Sequence, residues 1–183
     1  MGRPRQMQFE EAVPPEVRAE DMRRRHDAFW GPLSEAQRNA ARVASGFFRF
    51  MQDLNNHLFA KTRAESAETS DMYWSLALEC ASAAYAQFRR FGGMLGCRDD
   101  AEAAERLDRL VDYGHKTEWT LEPAWWRMDP SKGTAYFIGQ LGTMSARRDE
   151  WIREKERLAE EQRRVRRERK LAKLAAAKEG GAA

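Results

Sequence analysis

Asp53 and His57 stand four residues apart, Asp112 and His115 three apart, and Glu79 and Glu118 add two more carboxylates. Carboxylates and imidazoles projecting from facing helices are the donors of di-metal bundles. Such bundles take a Glu from each of two helices and a Glu-x-x-His pair from each of two others. In this chain the first pair has the wrong spacing and the second straddles Gly114. These histidines therefore read as hydrogen-bonded or exposed side chains, and no metal or other cofactor is expected. A helical metalloenzyme is the least favoured of three readings.

Other chemistry is equally thin. Gly92, Gly93 and Gly96 do not follow the order of a dinucleotide or P-loop fingerprint, and Ser131, Lys132 and Gly133 after Pro130 read as a turn. No arrangement of Ser, Cys and His marks a nucleophile. Cys80 and Cys97 lack CxxC spacing, and Cys80 falls in an apolar helical stretch, where a buried free thiol is the usual fate. The setting expected from this cysteine usage is reducing and intracellular, either cytoplasm or an organelle interior such as the mitochondrion, and not secretory.

Charge is distributed unevenly. Residues 147–178 hold thirteen Lys and Arg against seven Asp and Glu; the other nineteen cations and twenty-two anions leave the rest of the chain at −3. Asp149 to Glu161 mixes the signs, whereas Arg163 to Lys173 opposes seven cations with Glu168 alone. Arg163, Arg164, Arg166, Arg167, Arg169, Lys170 and Lys173 are thus candidates to bind phosphate, an interaction that weakens linearly with the logarithm of salt. The run lacks interleaved aromatics to stack on bases. Acidic protein surfaces or anionic lipid headgroups would attract it as well, and a solvated helix end with cations at its C-terminus is the bland reading.

The elements that must carry these residues are helical. The chain has 183 residues, 42% of them hydrophobic and 33% charged. It is expected to fold as an all-α protein: a small antiparallel bundle of about three helices, an extended N-terminal arm, and a long charged C-terminal helix projecting from the bundle. The arm, residues 1–33, includes a short helix from about Glu16 to Phe29 that ends at Gly31 and Pro32, with Phe29 and Trp30 docking it onto the core or onto another chain. The core, residues 34–132, begins with a capping box at Ser34 and Gln37, followed by Val43, Phe47, Met51, Leu54 and Leu58 on one face.

Ser70 is the expected cap of a central helix facing inward through Tyr73, Leu76, Cys80, Ala84, Phe88 and Phe91, with alanines that let backbones approach. Glu79 is expected at its rim. Asp99 and Asp100 begin a shorter helix that ends before Gly114. The longest nearly uncharged stretch, Met72 to Phe88, is interrupted by Glu79 and falls short of the ~20 apolar residues that span a bilayer, so no transmembrane helix is expected. Helical periodicity resumes over residues 133–178, about 65 Å if continuous and longer than such a core covers, before a Gly/Ala tail at 179–183.

Trp119, Trp125 and Trp126 lie in an irregular segment, residues 115–132, bracketed by prolines. Some of these rings are expected to close the open end of the bundle and others to meet another protein, for which Trp is a preferred anchor. With Trp30 and Trp151 they form the candidate protein interface. Trp151, Leu158, Val165 and Ala172 repeat every seven residues beside Lys155, Gln162 and Arg169, which is half a coiled-coil seam and specifies self-association poorly. The first functional reading is a non-enzymatic helical subunit of a larger multiprotein assembly, and the second is an RNA- or DNA-associated subunit binding through the basic helix.

Overall fold

A computed structural model describes residues 14–126 and 131–180, with side chains of the last helix described through residue 172. It contains five helices and, among the described residues, no strand: α1 (Pro15–Trp30), α2 (Glu35–Thr62), α3 (Ala67–Met94), α4 (Asp100–Lys116) and α5 (Thr134–Gly180). The all-helical class agrees with the sequence, but the bundle is larger than about three helices. The start of α5 belongs to it, packing on both α3 and α4 and contributing Ile138 and Leu141 to the same core as Phe47, Phe88 and Leu107.

Local signals explain where the helices begin. Ser34 accepts from the Gln37 backbone N–H while the Gln37 side chain accepts from the Ser34 N–H, the reciprocal capping box read in the sequence. The cap of α3 is Ser66 rather than Ser70: its hydroxyl accepts from the Thr69 N–H, so a further turn forms ahead of the expected start. Asp99 caps α4 through the Glu102 N–H.

α2 and α3 form an antiparallel hairpin along which Ala77, Ala81 and Ala84 are each fully buried. With no side chain beyond Cβ, these positions allow close backbone approach, while Leu76, expected on this face, is 39% exposed. The inward face is rotated toward the alanines because α3 contacts α2, α4 and α5 and must bury a wide surface rather than a narrow stripe. At its far end a Cβ on Gly92 would lie 2.9 Å from the Ala103 Cβ, so glycine sets how closely α4 approaches.

α3 and α4 close in the same way with different residues. At the end of α3 the Cys97 N–H reaches back to the Gly92 carbonyl at 2.9 Å, around Gly96 at φ +67°. At the end of α4 the Trp119 N–H reaches back to the Gly114 carbonyl at 2.8 Å, around Glu118 at φ 58°. Both are six-residue Schellman closures. α4 therefore continues through Gly114 to Lys116 instead of ending before it. Gly114 is required because a Cβ there would lie 2.5 Å from the Trp119 carbonyl oxygen.

Candidate interaction surfaces

The helix of the expected arm, α1, docks within the chain, and residues 1–13 of that arm lie outside the described residues. Phe29 is fully buried, with its ring 5.3 Å from that of Tyr113 and stacked 6.2 Å from that of Trp119. The Tyr113 hydroxyl donates to the carbonyls of Ala28 and Phe29, and Arg38 donates to those of Trp30 and Gly31, so the last turn of α1 is held from two sides. Arg24 and Arg25 reach the Glu118 carboxylate at 2.9 and 3.4 Å. Trp30 and Trp119 are half-buried against each other and His26. Beside them lies an open cleft of about 500 Å³ that also touches Arg38 and Arg42.

Trp126 corrects the expected interface. It is 1% exposed, edge-on to Phe47 and Phe48 at 5.5 and 5.2 Å and tilted on Phe137 at 5.1 Å, so it fills the end of the bundle and has no face left for a partner. Trp125 is half-buried beside it and donates its indole N–H to the Gln52 side chain at 2.9 Å. Trp151 is half-buried on α3, donating to the Ser75 hydroxyl at 2.7 Å with the Lys155 ammonium 4.5 Å from its ring. Every indole expected to anchor another protein thus has contacts within its own chain, and periodicity offers no signal for an irregular segment that folds back into a core.

The groups with potential chemistry lie apart. Glu79 is exposed and pairs with Arg148 at 2.8 Å, Glu118 pairs with α1, and the His57 ring lies near Tyr73. His115 Nε2 meets Glu122, a carboxylate only 6% exposed that sequence reading passed over. Among the described residues no three His, Cys, Asp or Glu side chains gather as metal ligands. Both cysteines are free. Burial, with Asp53 and Glu79 adding to it, raises the Cys80 thiol above its ordinary range, and burial likewise raises that of Cys97. These are features of unreactive thiols.

The last surface is α5 itself, which lies against α3 in a regular antiparallel register. A Cβ on Gly142 would rest 3.5 Å from the Tyr85 ring, and Ser145 bonds Ser82 at 3.3 Å. Arg148 then meets Glu79, Trp151 meets Ser75 and Lys155 meets Asp71 at 2.7 Å. Each step of three or four residues along α5 answers one of three or four back along α3. Extended by one step, the register arrives at the start of α3, and there the support ends. From Arg153 through Ala172 every residue except half-buried Val165 is exposed.

The candidate phosphate ligands Arg163, Arg164, Arg166, Arg167, Arg169 and Lys170 all lie on this unsupported part and are exposed. The side chain of Lys173 lies outside the described residues. No described helix is long and apolar enough to cross a membrane. Comparison with protein-family models, curated proteins and solved structures returns no match.

Proposed function

We propose that this chain is a non-enzymatic helical subunit of a larger protein assembly and that α5 is its principal contact element. The observation that carries this reading is the length of α5 beyond its last ion pair with α3. From Glu156 to Gly180 the helix continues for about 37 Å at ~1.5 Å per residue. Helical stability in proteins comes mostly from packing against a partner. Within the extension the intrahelical pairs Arg157–Glu161 and Arg164–Glu168, at 3.6 and 3.7 Å, supply only modest support. A second protein along the extension would supply the rest.

Size-exclusion chromatography after gentle lysis tests this reading. The full chain is expected to elute far above its 21.2 kDa mass, and the chain ending at Gln162 to elute at the size of a monomer. A monodisperse monomer from the full chain, with nothing co-purifying, overturns it.

A second reading, nucleic-acid association, draws on the exposed cations Arg166, Arg167, Arg169 and Lys170. Filter binding across a salt series decides it. Affinity that falls linearly with log salt and disappears with the residues after Gln162 supports this reading, whereas no binding at low salt rules against it.

A further inference from the structure

We infer that the face of α5 which lies on α3 inside the bundle continues beyond it as a docking strip for an acidic α-helix of another polypeptide. This deepens the assembly reading and rests on it. The residues of α5 that bond to α3 recur at three- and four-residue steps, Ser145, Arg148, Trp151 and Lys155. The same steps lead on to Ala159, Gln162, Arg166 and Arg169. Arg163 and Lys170 flank this line on one side, and Leu158 and Val165 on the other.

Three observations identify the occupant. First, among the described residues the two ion pairs between α5 and α3 have one polarity: α5 supplies the cation and its antiparallel neighbour the carboxylate, in Arg148–Glu79 and Lys155–Asp71. Second, the cations on the back of the extension are already paired, Arg157 with Glu154 and Glu161, and Arg164 with Glu168. Arg166 and Arg169, on the line that continues the α3-facing side, and Lys170 at its flank have no ion pair among the described residues. Third, Leu158 is 40% exposed along the same edge, so the strip is amphipathic in the manner of a helix-binding seam rather than uniformly polar.

The partner this fits takes over where α3 ends. It would be an antiparallel helix with carboxylates at three- and four-residue spacing and an apolar edge to cover Leu158 and Val165. A nucleic-acid backbone would satisfy the cations but leave that edge in water. A second copy of α5 would set cations against cations along the seam.

Fluorescence anisotropy with the full chain tests the inference. The probes are a synthetic helical peptide with Glu at that spacing and Leu on one edge, a shuffled peptide of identical composition, and a short RNA duplex, all at about 50 mM salt. The patterned peptide is expected to bind at least about ten-fold more tightly than the shuffled one, since charge placement rather than total charge sets specificity. Arg166→Glu/Arg169→Glu should abolish that preference, while the equally charged back-face variant Arg157→Glu/Arg164→Glu should leave it within about three-fold.

Equal binding of both peptides, equal loss in both variants, tighter binding of RNA than of the patterned peptide, or no binding at all overturns the inference. Circular dichroism of both variants verifies that the helix is retained. Failure with the probes while the full chain still elutes as an assembly removes the partner chemistry alone. Elution as an isolated monomer removes the assembly reading itself.

Discussion

Between Thr134 and Lys155, α5 is held by α3 and α4: Ile138 and Leu141 are in the core, the Thr134 hydroxyl donates to Asp108, and Arg148, Trp151 and Lys155 each meet a side chain of α3. Between Glu156 and Ala172 every residue but half-buried Val165 is exposed. The helix is continuous across the boundary, so propensity does not distinguish the two stretches. What changes along one face is that Ile138, Leu141 and Ser145 give way first to Arg148 and Lys155, which α3 answers with carboxylates, and then to Arg166 and Arg169. A contact surface with α3 and a surface available to something else are written on the same helical line.

The contrast can be broken most strongly from the bundle side. Trp126→Ala removes the ring on which Phe137 rests and should cost about 3–5 kcal/mol in urea unfolding. Leu141→Ala, at a residue 2% exposed, should cost about 2–5 kcal/mol. Measured in the full chain and in the chain ending at Gln162, its cost should agree within about 0.5 kcal/mol, because the two stretches share no packing. Trp151→Phe keeps most of the ring but removes the donor to Ser75, and a loss of about 1 kcal/mol is expected from the same assay. Truncation after Gln162 alone should leave the thermal midpoint of the isolated chain unchanged. A clear fall would mean that the extension stabilises the bundle, and the two stretches would no longer be separable.

Where the sequence was legible, a local rule decided the outcome. The capping box at Ser34 and Gln37 and the length of the last helix follow from residue types at fixed spacing. Ser66 and Ser70 are equally good caps by composition, and it is the Ser66 hydroxyl that accepts from the Thr69 N–H. The alanines of α3 were legible as points of close approach, but the inward face was read through Tyr73, Leu76 and Cys80, whereas Ala77 and Ala81 are fully buried and Leu76 is exposed. Trp126 was the least legible. Its burial depends on Phe47 and Phe48, which are remote in sequence, and on Phe137 in the next helix, and no period links an irregular segment to them.

The reach of α5 has a mechanical consequence. A stiff rod clamped at one end converts rotation at the clamp into translation at the tip. A tilt of about 10° of α5 on α3 would move the far end of its ~37 Å extension by roughly 6 Å, a full helical pitch. The polar pairs that fix the register, Ser145–Ser82, Arg148–Glu79, Trp151–Ser75 and Lys155–Asp71, therefore act as the bearing of a lever. Small changes there would be magnified at the other end.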